Sequence, residues 1–235
     1  MARHARIAPG GWIFHVLNRG NDRRRIFDSA RCYAEFLEIV ELSRQRCDMR
    51  VLAYCLMPNH WHMLLWPRQD HDLSRFIHRI ASTHSKRWHR RHGTTGLGHL
   101  YQGRFKSFPV GEDAYLWTVC RYIERNALRA NLVERAAEWK WSSLPDRIAR
   151  RLPPQPVTLA AFPSDLPMNW EEHVERPHSD KELSALRKAT TLARPYGSAS
   201  WQVWAAKRLG LPTTVRPVGR PRHVPKVTPP NQKGR

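Results

Sequence analysis

The chain has 235 residues and carries 40 Lys and Arg against 20 Asp and Glu, a formal net charge of +20 with a sequence pI near 10.9. An excess of that size calls for a polyanionic partner, and charge alone leaves DNA, RNA and an anionic membrane surface open. No apolar run reaches the ~18 residues of a spanning helix, residues 1–11 lack the apolar stretch of a secretory leader, and the basic segments lack a clean membrane-binding face.

In chain order, Trp12 to Leu17 reads as a strand, because it is aromatic and β-branched. Arg19 to Arg25 is a polar loop with Gly20 and Asn21 as turn residues. Ser29 is placed to cap a helix reaching about Arg46, in which Tyr33, Phe36, Leu37 and Val40 repeat at helical spacing. Arg50 to Met57 reads as a second strand, Pro58 and Asn59 interrupt it, and His60 to Trp66 reads as a third with Trp61, Met63 and Leu65 on one side. Leu73 to His92 is a long basic helix and Gly93 to Gly98 a loop. Tyr101 to Val110 reads as another strand, and Glu112 to Asn131 as a helix. Strands alternating with helices predict an α+β sheet with packed helices.

Composition changes near residue 145: 14 of the 18 prolines lie from Pro145 onward. Arg151 to Pro167 reads as irregular, with short helices expected over Lys181 to Ala193 and Ser200 to Leu209. Residues 216–235 hold six Lys or Arg, five Pro and no acid, the composition of a disordered basic tail. Cys32, Cys47, Cys55 and Cys120 form no Cys-x-x-Cys pair and read as reduced thiols of a cytoplasmic protein.

Four groups of residues are candidates to carry chemistry. In Met57-Pro58-Asn59-His60-Trp61-His62, strand alternation puts His60 and His62 on one face about 7 Å apart at Cα, where two imidazoles can share a metal. Two ligands make an incomplete site, and taken alone the pair fits ordinary histidines better, in a chain with 13 of them. Tyr122 and Asn126 stand at i and i+4 on one helical face, so a phenol and an amide oxygen could serve one phosphate site. By itself that pattern fits a core tyrosine better. Within His71 to Val110, Arg75, Arg79, Lys86, Arg87, Arg90, Arg91, Arg104 and Lys106 face a lone acid, Asp72, with Trp88, Tyr101 and Phe105 interspersed. Cations suit phosphates and aromatics suit exposed bases. Gly219-Arg220-Pro221-Arg222 has the look of a short minor-groove arm, and equally of a nonspecific basic tail.

The order and spacing of four motifs resemble the single-tyrosine transposases of the HUH superfamily. These are Met57-Pro58-Asn59-His60-Trp61-His62, Gln102-Gly103-Arg104-Phe105-Lys106-Ser107, Arg121-Tyr122-Ile123-Glu124-Arg125-Asn126 and Trp139-Lys140-Trp141-Ser142-Ser143. Arg208-Leu209-Gly210-Leu211, Arg216-Pro217 and Gly219-Arg220-Pro221-Arg222 look like the branch of REP-associated tyrosine transposases.

The resemblance implies a ferredoxin-like antiparallel sheet with helices packed on it, the histidines on a central strand and the tyrosine on a facing helix. It implies a transposase domain over 8–144, a Pro-rich extension with short helices over 145–215 and the basic tail over 216–235. It further implies a Mg²⁺ or Mn²⁺ ion held by His60, His62 and Asn126, the last at a position where many relatives carry Gln. Tyr122 would be the nucleophile of a single-stranded DNA endonuclease and strand transferase that forms a 5′-phosphotyrosine. The partner would be hairpins of palindromic repeats, in a cytoplasmic, nucleoid-associated protein acting as monomer or dimer, with no membrane and no small-molecule substrate. Arg19, Arg23, Arg24, Arg75, Arg79, Lys86, Arg87, Arg104, Lys106, Arg220 and Arg222 are the expected DNA contacts. The rival expectation is a hairpin-binding protein without turnover. An RNA-binding protein and a histidine-based metal hydrolase are two others.

Overall fold

A computed structural model describes residues 7–111, 114–149 and 155–215. Four strands form one antiparallel sheet: β1 (Ile13–Arg19), β2 (Arg50–Met57), β3 (His60–Trp66) and β4 (Lys106–Val110), in the order β2-β3-β1-β4. With α1 (Ala30–Cys47) between β1 and β2, and α2 (Asp72–Arg91) between β3 and β4, this is the expected ferredoxin-like arrangement. β1 and β3 are the central strands, and apolar side chains from both faces of each are buried.

The two faces have separate cores. Phe14, Val16, Trp61, Met63 and Leu65 meet Phe36, Leu37 and Val40 of α1 and Phe76, Ile77 and Ile80 of α2. On the other face Ile13, Cys55, Leu64 and Phe108 meet Leu116, Val119 and Ile123 of α3 (Ala114–Glu124). Burying these side chains stabilises each interface by about 1.5–3 kcal/mol per large residue. Because alternate strand residues point to opposite faces, the face bearing Trp61 cannot be the face bearing His60 and His62.

Three elements depart from expectation. The strand predicted over Tyr101 to Val110 is confined to Lys106–Val110, and Tyr101 makes only an isolated bridge to Gly20. Its ring is drawn into the α2 core, where the hydroxyl accepts from Trp61 Nε1 at 3.2 Å and lies 2.7 Å from His84 Nδ1. The helix predicted over Glu112 to Asn131 bends at Arg125, where ψ opens to 0°, and resumes as α4 (Asn126–Arg129). Bonds from Arg125 N to Arg121 O and from Arg129 N to Arg125 O span the bend, so one helical face runs through it. Ser29 takes the extended backbone of a cap, but its side chain makes no capping bond.

Beyond residue 143 come α5 (Leu144–Arg147), α6 (Trp170–Glu175), α7 (Asp180–Leu192) and α8 (Ala199–Arg208). The last two match the predicted short helices within a residue, and Ser179 and Glu182 form a capping box on α7. α6 was not foreseen. Trp170, Val174, Leu186, Ala189 and Tyr196 enter the α3-side core, so that core crosses the compositional boundary. All four cysteines are free thiols. Among the described residues, no helix is long and apolar enough to cross a membrane.

Candidate active site

The site is built on the end of the β2–β3 hairpin. Gly20 N donates to Asn59 O at 2.9 Å, and Ile26 N and Phe27 N donate to Pro58 O at 2.8 and 3.1 Å. These bonds fix the turn and hence the start of β3. His60 and His62 then emerge on the α3 face, with ring centroids 5.0 Å apart and planes at 79°. His62 is buried and His60 half-buried.

Each ring has one nitrogen engaged by a neighbour. His60 Nδ1 lies 2.6 Å from Asn59 Oδ1, and His62 Nδ1 lies 2.8 Å from Nε2 of His15 on β1. Burial, followed by the charges of Arg19 and Arg129, pushes His60 down to about 4. Burial also lowers His62 well below the usual imidazole range, with His15, His60, Arg129 and Arg19 adding to the effect. Both rings are therefore neutral near pH 7, the state in which an imidazole nitrogen can ligate a metal.

Tyr122 stands over this pair, its ring centroid 5.8 Å from His62 and 6.0 Å from His15, edge to face. The bend after Glu124 keeps Asn126 one turn below it. Asn126 is buried, with Nδ2 unpartnered and Oδ1 accepting from Arg129 Nη2 at 3.2 Å. The same Nη2 donates to Tyr122 Oη at 3.2 Å. His60, His62, Tyr122 and Asn126, far apart in sequence, thus share one neighbourhood.

The donor set fits a small divalent ion. Among the described residues, no three His, Cys, Asp or Glu side chains group as a metal site. Two neutral imidazoles and the amide oxygen of Asn126 make a mixed nitrogen and oxygen set of the kind a small divalent ion takes.

The tyrosine helix is anchored from below. Glu124, fully buried, accepts from Ser143 Oγ at 2.5 Å, Arg147 Nε at 3.0 Å and Trp170 Nε1 at 2.7 Å. Arg121 bonds Glu182 Oε1 at 2.6 Å, and Arg125 donates to Glu175 O at 3.2 Å. His178, pushed down to about 4 chiefly by burial, packs edge-on against Tyr122 at 5.9 Å.

The expected DNA contacts fall into separate groups. Arg19 lies opposite His60 in the β1–β3 register, and Lys106 opposite Leu17, so both share the histidine face. Arg19, Arg104 and Lys106 line a cleft of about 150 Å³ with Gln102 and Gly103. Arg75, Arg79, Lys86 and Arg87 are on α2, which packs against the opposite face; Arg75 pairs with Asp72 at 3.7 Å and Arg87 with Glu35 at 3.3 Å. Arg23 and Arg24 are exposed in the loop after β1, Arg24 lying over Trp88 at 5.8 Å. Arg220 and Arg222 lie outside the described residues.

Sequence reasoning missed His15, Arg129 and His178. Arg129 had a signal, since it lies three residues after Asn126 and seven after Tyr122 on one helical face. His15 had a weak one, as a lone polar residue within an apolar strand. His178 had none, because its contact depends on how the extension folds back.

A family model described as "Transposase IS200 like" matches residues 11–126, a span containing the histidine pair, Tyr122 and Asn126. No curated protein matches the chain. Among solved structures, that of a REP-associated tyrosine transposase bound to a REP hairpin is 21% identical, with a TM-score of 0.52, covering 71% of this chain and 95% of that one. A protein from Deinococcus radiodurans R1 described as a candidate transposase is 16% identical, with a TM-score of 0.37, covering 53% of this chain and 95% of its own. The first of these shares the fold. Residues 11–126, the segment that carries the site, match the IS200-like transposase family.

Proposed function

We propose that this protein is a metal-dependent endonuclease and strand transferase that acts on single-stranded DNA at hairpin-forming palindromic repeats. The observation that carries the reading is the convergence of Tyr122, two neutral imidazoles and Asn126 on one sheet face. Tyr122 Oη attacks the scissile phosphorus and forms a new phosphate ester. The bond from phosphorus to the 3′ oxygen breaks. The phenol gives up its proton and the departing 3′ oxygen gains one. One diester replaces another, so the 3′-hydroxyl of a second strand can reverse the step without a nucleotide cofactor.

His60, His62 and Asn126 would hold Mg²⁺ or Mn²⁺, which supplies Lewis acidity at a phosphate oxygen when bound. Arg19, Arg104 and Lys106 would track the backbone of the strand. The hairpin partner is supported by the fold shared with a REP-associated transposase whose structure holds a REP hairpin.

The test is incubation with end-labelled hairpin DNA in Mg²⁺ or Mn²⁺, followed by a denaturing gel. A covalent protein–DNA band is expected, absent in Tyr122→Phe while hairpin binding persists. Adduct formation by Tyr122→Phe, or unchanged activity in a chelator, contradicts the reading. Binding without any adduct identifies instead a hairpin-binding protein without turnover.

A further inference from the structure

Among the described residues, seven buried side-chain nitrogens have no hydrogen-bond partner, and five belong to this site: His15 Nδ1, Arg19 Nε, Asn126 Nδ2, Arg129 Nε and His178 Nδ1. Buried donors are normally satisfied, so such a cluster marks a place where the protein awaits a ligand. Two of the five are guanidiniums. Neither Arg19 nor Arg129 takes part in any ion pair among the described residues. The neutral histidines between them bring no negative charge. The missing partner is therefore an anion with several acceptor oxygens, which describes a phosphodiester.

Arg129 is also committed elsewhere. Its Nη2 holds both Tyr122 Oη and Asn126 Oδ1 at 3.2 Å, and its guanidinium lies over the Tyr122 ring at 4.6 Å. Asn126 Oδ1 is the oxygen a divalent ion would need. A guanidinium already bonded to that oxygen opposes a cation there, both by occupying the acceptor and by like charge.

We propose that Arg129 receives the scissile phosphate and that, in turning to it, releases Asn126 Oδ1, so that DNA binding opens the metal position. The proposal rests on Tyr122 as nucleophile and Asn126 as ligand. It makes assembly ordered: strand first, ion second. A site that excludes the ion until a phosphate neutralises Arg129 holds its Lewis acid only where there is a bond to cut. Arg129 keeps its hold on the phenol oxygen throughout, which aims Tyr122 at the phosphorus beside it.

The experiment measures Mn²⁺ binding to the DNA-free protein by the electron paramagnetic resonance signal of free Mn²⁺. Arg129→Met keeps the apolar stem over the Tyr122 ring and removes the charge and the bond to Asn126. It is expected to bind Mn²⁺ at least fivefold more tightly than the wild type, while forming adduct at least a hundredfold more slowly. Mn²⁺ affinity equal to or weaker than wild type overturns the proposal. A second measurement needs no variant. In wild-type protein labelled with ¹⁵N-arginine, without divalent metal, the Arg129 Nε–H resonance is followed as hairpin DNA is added, using the linkage mapped by the adduct assay. It is expected to shift with the phosphodiester and to stay in place with a neutral methylphosphonate at that linkage. Hairpin binding with the resonance unmoved overturns this proposal and leaves the transposase reading standing. No hairpin binding at all overturns that reading and this proposal with it.

Discussion

Nε2 of His15 on β1 lies 2.8 Å from Nδ1 of His62 on β3, and the two rings stack with centroids 5.0 Å apart. One proton joins them. If His62 is to offer Nε2 to a metal, its proton must sit on Nδ1 and be donated to His15, which then carries its own proton on the unpartnered Nδ1. The pairing thus couples the ligand tautomer of His62 to a residue that touches no ion.

His15→Phe keeps a ring against Phe108, which packs edge-on at 4.8 Å, but offers His62 no acceptor. Mn²⁺ affinity in the presence of hairpin is expected to fall by about 10–100-fold, the usual cost of losing such a supporting bond. Hairpin binding without metal should be nearly unchanged. Titration of both proteins with Mn²⁺ checks this, and equal affinities would remove His15 from the site.

Acid should unfold the protein through its buried histidines. Burial pushes His15 and His84 down to about 3 and His60 to about 4, and lowers His62 as well. These folded values lie below the ordinary value near 6.5, so the unfolded chain binds more protons in between. The stabilisation is complete above pH 6.5 and is lost as pH falls toward 4, by roughly 1.4 kcal/mol per pH unit for each histidine. Urea midpoints at pH 7.5, 6 and 5 should drop steeply below 6.5, and His84→Gln should flatten the drop. A constant midpoint from 7.5 to 5 contradicts this.

Glu124 anchors the helix that carries Tyr122. Glu124→Ala leaves Arg147 buried without its carboxylate, 2.9 Å away in the intact protein. It is expected to cost about 3–5 kcal/mol, read from urea denaturation, whereas Glu124→Gln should cost less by keeping an acceptor for Trp170 and Ser143. Loss below 1 kcal/mol in the alanine variant would show that the anchor carries little.

The salt dependence of hairpin binding should locate the strand. Each phosphate contact to single-stranded DNA contributes about 0.7 to the slope of log K against log salt. Lys106→Ala and Arg19→Ala should each reduce the slope by roughly that amount. Arg87→Ala, on the opposite sheet face and paired with Glu35, should leave it unchanged. The reverse pattern would move the DNA to the α2 face.

Strand alternation makes the histidine face legible in the sequence alone, since period 2 separates His60 and His62 from Trp61 and Met63. The central strands and the two long helices followed from the same kind of periodicity. What escaped depends on distant contacts. Tyr101 left its strand for bonds to Trp61 and His84, which no local pattern encodes. The six residues of α6 bury only Trp170 and Val174, too few to signal a helix until they meet α3. Arg129 lay on the right helical face, three residues after Asn126 and seven after Tyr122, but that spacing was a faint signal among 40 cationic residues. His15 required the register of β1 against β3.

The anchoring of Arg121, Glu124 and Arg125 by Glu182, Trp170 and the carbonyl of Glu175 has a kinetic consequence. The helix that carries Tyr122 is tied by these bonds to α6 and α7, and through Glu124 and Ser143 to Tyr54 of β2, all within a single polypeptide. If Tyr122 attacks beside the His60 and His62 of its own chain, turnover per molecule is expected to stay constant on dilution, and turnover that falls on dilution would show a centre shared between chains.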